Sequence, residues 1–396
     1  MPELNSSTLL FQKPDFEIKI TTFHGLESVL SNELVKLGGR NVIEFKRGVS
    51  VTGDWGFVYK CNYCLRTAIK VLVPICEFTA RQADELYTAV NAIAWEQLFS
   101  NEHSFAVESV LRSDYFNNSM YCNQRVKDAI VDRFRRETGK RPNVDRKEAE
   151  IRIYAHIHQD KWMLAIDTSG VPLYKRGYKT DSHQASMKEV LAAGLIQLSQ
   201  WNAPSYLLDG MSGSGTLAIE AAMYALQIPA GMYRDRFAFE SLKQFNPELW
   251  NRVKESALSR IKEIPLTIQA NEIQKKTYES TLKTVKKADL ADVIQCTNAS
   301  FFELPPQKSQ GVIILNPPYG ERMPLSEITH FYRELGNTLK RWYSGYTAWI
   351  ISSHTEALKS IGLKPSKKFT VFNGALECKF LGFELYEGSR KLKSKL

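Results

Sequence analysis

Hydrophobic and polar residues alternate most regularly near the middle of the chain. From residue 151 to 158 every second position is apolar, and a short polar turn then leads to a second apolar run at residues 162–167. A period of two is typical of a strand with one buried and one solvent-facing side. The pattern predicts a β-hairpin whose outer face carries His156 and His158. We expect no metal there, because no third ligand is evident.

The second half of the chain alternates apolar runs with helical stretches. Strands are predicted at residues 206–209, 266–271, 292–297, 312–316 and 346–352, with two more at 369–372 and 378–385. Such alternation is typical of an α/β fold with a mostly parallel sheet covered on both faces. Ligands of these sheets bind beyond the carboxyl ends of the strands, so Asp209, Asn271, Asn298 and Asn316 are expected to converge there.

The first half of the chain has two shorter blocks. A strand at residues 16–22, a helix at 25–37 and a return strand or hairpin at 42–51 predict a small sheet-plus-helix unit. Helices are then predicted at 57–72 and 83–99, followed by a strand at 104–111 and a further helix before the hairpin. We therefore expect three domains, at residues 1–56, 57–168 and 169–396.

Composition narrows the class of protein. A chain of 396 residues with 43% hydrophobic content can build more than one core. No apolar run reaches the roughly 18 residues of a membrane span, and no signal-peptide pattern opens the chain, so we expect a soluble cytoplasmic protein. Six scattered cysteines include Cys61 and Cys64, for which a buried role is expected rather than a metal site.

Charge favours a polyanionic partner. The formal net charge is +9, and residues 122–152 hold ten Lys or Arg against six acids around the apolar stripe Val126, Ile130 and Phe134. That spacing predicts a helix with a basic outer face. A merely solvated surface is the alternative that charge alone leaves open.

A glycine-rich loop follows the strand predicted at residues 206–209. Asp209 ends the strand, and Gly210, Gly213 and Gly215 precede a helical pattern that starts near Leu217. Glycines between a strand and a helix let the backbone approach a ligand closely. A small nucleoside cofactor fits this loop better than a phosphate group, because no Lys-Ser/Thr pair follows the last glycine.

The strand predicted at residues 312–316 ends in Asn316, Pro317, Pro318 and Tyr319. Two prolines turn the backbone out of the sheet rigidly. The Asn316 side-chain oxygen and the Pro317 carbonyl can then accept two hydrogen bonds, and Tyr319 offers a ring for stacking. This arrangement suits an exocyclic NH2 group, although a turn without chemistry is the alternative for so short a motif.

The glycine loop and the Asn-Pro-Pro-Tyr segment, in this order, resemble the first and fourth motifs of amino-directed, S-adenosylmethionine-dependent methyltransferases. Further stretches resemble the bacterial 23S ribosomal RNA guanine-N2 methyltransferases: residues 25–27, 141–146, 176–178 and 188–193. The resemblance covers nearly the whole chain. It implies a ferredoxin-like segment, an α+β THUMP domain and a Rossmann-like class I methyltransferase domain with an antiparallel edge strand. Because the sequence ends at Leu396, it also implies a form without a second fused methyltransferase.

The resemblance implies a role for each candidate residue. Asn316, Pro317, Pro318 and Tyr319 would hold the target amine, and S-adenosylmethionine would lie on Asp209, Met211, Gly213, Gly215, Thr216, Asn271, Glu272 and Asn298. Asn271 stands where the family has an acid for the ribose, so either Asn271 or Glu272 would make that contact, and Asn298 replaces the adenine-reading Asp. From its charge, the basic segment at residues 122–152 is predicted to contact ribosomal RNA or a large-subunit precursor through Arg133, Arg136, Lys140, Arg141 and Arg146, and Arg176 is predicted to contact it as well. From their place on the outer face of the hairpin, His156 and His158 are expected to be exposed or RNA-facing.

Three other functions are compatible with parts of the sequence. The Asn-Pro-Pro-Tyr motif is shared with DNA adenine-N6 methyltransferases, against which residues 1–168 argue. A THUMP-bearing enzyme could modify a guanine of transfer RNA. The asparagines at positions 271 and 298 are compatible with a non-catalytic RNA-binding or assembly factor.

Overall fold

The computed structural model describes residues 10–179, 187–317 and 325–388. These residues form two compact units. The first contains residues up to Thr22, Leu30–Lys175 and Arg234–Ala257, and the second contains Phe23–Val29, Arg176–Tyr233 and the chain from Leu258 onward. The domain boundaries predicted at residues 56 and 168 stay predictions.

The first unit is built on a seven-stranded sheet in the order β2-β3-β1-β4-β7-β6-β5. The strands are β1 Phe16–Thr21, β2 Arg40–Phe45, β3 Gly48–Gly53, β4 Lys70–Thr79, β5 Phe105–Arg112, β6 Ile151–His158 and β7 Lys161–Asp167. The predicted hairpin is confirmed, since β6 and β7 pair antiparallel from Arg152 opposite Asp167 to His158 opposite Lys161.

Helices in the chain up to residue 138 are α1 Glu27–Lys36, α2 Trp55–Cys64, α3 Ala83–Asn91 and α4 Ser119–Thr138. The helix predicted at residues 57–72 is wrong in its second half, because β4 begins at Lys70 and pairs with β1 and β7. The helix predicted at 83–99 ends early, at Asn91. There the Trp95 indole Nε1 donates to the Val90 carbonyl at 2.9 Å, within a short 3-10 turn at Trp95–Gln97.

The second unit is built on another seven-stranded sheet, in the order β10-β9-β8-β11-β12-β14-β13. Its strands are β8 Leu207–Asp209, β9 Ile268–Asn271, β10 Ile294–Thr297, β11 Gly311–Leu315, β12 Tyr346–Ser352, β13 Lys367–Asn373 and β14 Leu376–Glu384. Strands β8 to β12 pair in parallel, and β14 pairs antiparallel with both β12 and β13. The predicted α/β sheet with an antiparallel edge is confirmed.

The remaining helices are α5 Glu189–Ser199, α6 Thr216–Ala225, α7 Pro247–Leu258, α8 Lys275–Lys287, α9 Leu325–Trp342 and α10 Thr355–Lys359. Helix α6 is buried along nearly its whole length, and α9 packs Tyr332, Leu335 and Leu339 into a core with β11 and β12. Strand order reverses between β8 and β11, which is the position where sheets of this kind bind their ligands. Within the described ranges, none of the helices has the length and apolar character that crossing a bilayer requires.

Candidate active site

The glycine loop of the second unit joins β8 to α6 through left-handed backbone. Gly213 has φ +53° and Gly215 has φ +73°. A Cβ on Gly215 would lie 2.6 Å from the Thr281 Cγ2 atom, whereas a Cβ on Gly213 would meet no atom of the described residues within 4 Å. Gly215 is therefore required by packing, and Gly213 faces open space beside the loop.

Hydrogen bonds from the β9 side hold this loop in place. The Ser212 N–H donates to the Asn271 carbonyl at 2.8 Å, and the Gly213 N–H donates to Glu272 Oε2 at 2.9 Å. From α8, the Thr281 hydroxyl donates to the Gly213 carbonyl at 2.7 Å. Thr281 was not predicted from the sequence, because a threonine within a helical stretch gives no signal of its own.

The Asn271 side chain forms hydrogen bonds that help to hold the glycine loop. Its Nδ2 donates to the Gly210 carbonyl at 3.1 Å and to the Ala299 carbonyl at 3.0 Å, and its Oδ1 accepts from the Thr297 hydroxyl at 2.9 Å. Glu272 lies at the same strand end, and its two oxygens accept from the backbone N–H groups of Gly213 and Gln274. A carboxylate offers about four lone-pair sites, so Glu272 retains acceptor capacity that buried Asn271 has largely used.

Asp209 is fully buried at the end of β8. Neither of its side-chain oxygens has a hydrogen-bond partner of normal geometry among the described residues. Burial raises the pKa of this carboxyl to about 8; the Ala218 backbone N–H opposes the rise, and the charge of Glu272 adds a smaller increase. Such a group is stabilised by a cation or a hydrogen-bond donor brought by a ligand.

Asn316 follows β11, which pairs with β8 on one side and β12 on the other. Its Oδ1 atom is buried and has no hydrogen-bond partner within the described ranges, and Pro317 beside it is buried. Pro318 and Tyr319, the other two predicted contacts of the target amine, lie outside the described residues.

Unpartnered buried polar atoms of the second unit concentrate at this edge. Among its described residues they belong to Asp209, Ser212, Asn316 and Trp349, and the first three lie at or directly after the carboxyl ends of β8 and β11. Buried polar groups in native proteins are nearly always satisfied by protein or ligand. The donors and acceptors at this edge therefore fit a bound polar ligand.

The other predicted cofactor residues lie around the same loop. Thr216 is buried at the start of α6, its hydroxyl 3.0 Å from the Ser214 hydroxyl, and Met211 packs partly against the neighbouring core. Asn298, after β10, is exposed, and its Nδ2 donates to the Glu272 and Ile273 carbonyls at 2.7 and 3.0 Å. The structure thus brings together every predicted cofactor residue, although Asn271 serves the loop itself.

The predicted RNA contacts of the first unit separate into two kinds. On α4, Arg133 is clamped by Glu96, with nitrogen-to-oxygen distances of 2.6 and 3.1 Å, and Arg136 bonds Glu137 and Asn91. After α4, Lys140, Arg141 and Arg146 are exposed and make no side-chain ion pair among the described residues. Arg133 is therefore engaged by protein, whereas the loop after the helix presents three cations that are free of side-chain ion pairs in the described ranges.

Arg176 does not lie on a surface. Its side chain is 1% exposed, and its Nε and Nη2 atoms lie 3.3 and 3.4 Å from the two oxygens of buried Glu220 on α6. The Tyr178 hydroxyl donates to the same carboxylate at 3.0 Å. This placement corrects the expectation of an RNA contact for Arg176, because its guanidinium is enclosed by protein and paired.

Three family models match consecutive parts of the chain. The RlmL ferredoxin-like domain matches residues 17–72, the THUMP domain matches residues 80–167, and the RMKL-like methyltransferase domain matches residues 176–381.

Two relatives illustrate the similarity over the full chain. "Ribosomal RNA large subunit methyltransferase K/L" of Photobacterium profundum is 34% identical over 377 residues, covering 93% of this chain and 53% of that protein. A proposed RNA methyltransferase of Synechocystis is 32% identical over 371 residues, covering 92% of this chain and 96% of that protein. The chain therefore spans about half the length of the K/L relatives it matches.

Solved structures share the fold. The proposed methyltransferase SMU.472, crystallised with SAH, superposes with a TM-score of 0.85 at 29% identity, covering 95% of this chain and 100% of that one. A proposed methylase from Clostridium difficile superposes with a TM-score of 0.85 at 27% identity, with the same coverage.

Proposed function

This chain belongs to the RMKL-like methyltransferase family, and from that premise we propose that it transfers a methyl group from S-adenosylmethionine to the exocyclic N2 amine of a guanine in large-subunit ribosomal RNA. The observation that carries this proposal is the buried Asn316 Oδ1 directly after β11, which has no hydrogen-bond partner among residues 10–179, 187–317 and 325–388. Strand β11 lies next in the sheet to β8, the strand that ends in the glycine loop. The names of the K/L relatives support the choice of ribosomal RNA.

The residues around the loop fit S-adenosylmethionine. Open space beside Gly213 would admit the methionine portion close to the backbone, and buried Asp209 would face its positive charge. The Glu272 carboxylate, which can accept further hydrogen bonds, would accept from the ribose hydroxyls. The side-chain oxygen Oδ1 of Asn298 would accept from the adenine amine. The cofactor supplies a sulfonium methyl group, which is already a strong electrophile.

The protein's part in the reaction is to hold the amine. Asn316 Oδ1 and the Pro317 carbonyl would each accept one N–H of the target, which orients the nitrogen lone pair toward the methyl carbon. As that nitrogen becomes cationic, both acceptors stabilise it more strongly than they do the neutral amine. The C–S bond would break as the C–N bond forms, so that the sulfur leaves as a neutral thioether, and the cationic nitrogen would then lose one proton to solvent. The two fixed acceptors therefore favour the transition state.

Comparison of modified nucleosides in cells with and without this gene tests the substrate. We expect N2-methylguanosine to disappear from one position of large-subunit ribosomal RNA, as measured by mass spectrometry of separated RNA fractions. Loss of the nucleoside from transfer RNA, or of N6-methyladenine from DNA, would instead support one of the other methyltransferase functions. An unchanged profile in all fractions would contradict the proposal.

A further inference from the structure

A cavity of about 580 Å³ lies in the second unit, between α10 and the β13–β14 hairpin. It is formed within residues 355–383 and includes none of the cofactor residues. Its volume falls within the range of roughly 300–1,000 Å³ that is typical of small-ligand sites.

The floor of the cavity is apolar. Leu358 and Phe383 are buried there, and Leu363 and Leu381 are partly exposed. In the hairpin, Leu381 pairs with Lys368 and Lys379 pairs with Thr370, so these side chains project from one face of the sheet.

The rim of the cavity is cationic, with Lys359, Lys368 and Lys379. Lys368 is exposed and makes no ion pair or side-chain hydrogen bond within the described part of the chain. Lys359 pairs with Glu356, but both side chains are more than 70% exposed, and such pairs are worth little. Lys379 lies 2.7 Å from Glu377 and 2.9 Å from the Thr370 hydroxyl. Residues 355–383 hold five lysines and two glutamates, so the region attracts anions.

One end of the cavity lies at the edge where the proposed transfer takes place. Lys379 pairs with Ser352, the last residue of β12, and Thr355 follows three residues later. Strand β12 runs parallel to β11, with Ile350 opposite Leu315, so Ser352 and Asn316 lie at the same edge of the sheet.

We propose that this cavity binds the single-stranded RNA that flanks the methylated nucleotide, with phosphates on the lysines and one unstacked base on the apolar floor. Lysines suit phosphates as point charges, and an apolar recess suits a base that is free of its stack, which a regular duplex does not present. The inference rests on the proposed function and adds to it a second contact with the same RNA.

Binding of the whole protein to two fluorescent probes tests this inference: an oligoadenylate of about 12 nucleotides and an abasic oligomer of the same length. Anisotropy should show tighter binding of the oligoadenylate. Lys368→Gln should lower the slope of log affinity against log salt by about 0.7 for both probes, the value expected when one phosphate of a single strand is no longer bound. Leu363→Ser, in a loop rather than in the sheet, should reduce the preference for oligoadenylate.

Lys283→Gln is the matched control, because Lys283 is exposed on α8 and does not line the cavity. Equal salt slopes for wild type, Lys368→Gln and Lys283→Gln would overturn the inference. The lysines would then serve only to keep the exposed edge strand from pairing with strands of other molecules. Competition by oligoglutamate as strong as by oligoadenylate would also overturn it.

The inference and the proposed function can fail separately. If the protein methylates ribosomal RNA but Lys368→Gln leaves the salt slope unchanged, this inference alone is refuted. If the protein binds oligoadenylate but transfers no methyl group to any RNA, the proposed function is refuted.

Discussion

Asn316 and Asp209 both have buried side-chain oxygens without a hydrogen-bond partner in the described part of the chain, yet the two groups suit different ligands. An amide oxygen is neutral and accepts from an uncharged amine, whereas a carboxyl group whose pKa is raised to about 8 gains most from a cationic partner. This difference supports placing the target amine at Asn316 and the charged cofactor near Asp209.

Asp209→Asn should change how the stability of the ligand-free protein depends on pH. Burial raises the folded-state pKa of Asp209 to about 8, far above the ordinary value of roughly 4 that an unfolded chain retains, so keeping this carboxyl buried becomes increasingly unfavourable as pH rises through that interval. We expect the variant to gain stability relative to wild type between about pH 4 and pH 8, by several kcal/mol at most. Thermal unfolding measured across this range checks the prediction, and a constant difference would contradict it.

Gly213→Ala should weaken binding of S-adenosylmethionine by about 10-fold or more, because its methyl group would enter the open space assigned to the cofactor. Gly374→Ala is the matched control, since Gly374 has φ +66° and a Cβ there also meets no atom within 4 Å from the residues that the structure describes. Both variants should lose about 1–2 kcal/mol of stability from left-handed strain. Calorimetry with equal cofactor affinity in the two variants would contradict the assignment.

Among the helices, α6 is held by buried contacts with its own side chains. The helix begins directly after Gly215, its N-cap. In the protein interior, the Glu220 side chain of this helix accepts hydrogen bonds from Arg176 and Tyr178. Between them, Gly177 has φ +102°, and a Cβ there would lie 2.0 Å from the Tyr233 carbonyl oxygen. The Arg-Gly-Tyr segment therefore holds the helix that carries the glycine loop.

Glu220→Ala should destabilise the protein by about 3–5 kcal/mol, because it leaves the Arg176 guanidinium buried without its carboxylate. Glu356→Ala removes an exposed pair with Lys359 and should cost less than about 1 kcal/mol. Urea unfolding of the two variants compares them directly. Similar small losses in both would show that the buried pair does not hold α6.

Elements with a clear local pattern could be predicted from the sequence, and elements without one could not. The β6–β7 hairpin and the strands of the second sheet were predicted because their patterns are local. Strand β4 was missed, since no Gly, Pro, Asn or Asp separates its apolar run at residues 71–73 from the end of α2 at Cys64. Its neighbours in the sheet, β1 and β7, are distant in the sequence. The glycine loop was predicted from its local sequence. The hydrogen bonds from the Asn271 side chain to the Gly210 and Ala299 carbonyls were not, because they depend on how distant segments pack in three dimensions.

A net charge of +9 is most useful for RNA binding where the cations are exposed and either unpaired or held only by weak surface pairs. Reversal of Arg141 and Arg146 to Glu should weaken RNA binding and lower the log–log salt slope by about 0.7–0.9 for each phosphate that is no longer bound. Arg133→Gln should leave that slope unchanged and reduce stability instead, because Arg133 is clamped by Glu96. Anisotropy titrations over a range of salt concentrations test this, and an unchanged slope in the double variant would exclude the loop from the RNA interface.

The most direct test of the account follows the methyl group itself. Purified protein, isotope-labelled S-adenosylmethionine and large-subunit RNA from cells lacking this gene are combined, and the product nucleosides are identified by mass spectrometry. We predict labelled N2-methylguanosine from the wild-type protein, and a rate at least about 100-fold lower from Asn316→Ala at nearly unchanged cofactor affinity. Label in N6-methyladenosine, or transfer by Asn316→Ala at the wild-type rate, would contradict the account.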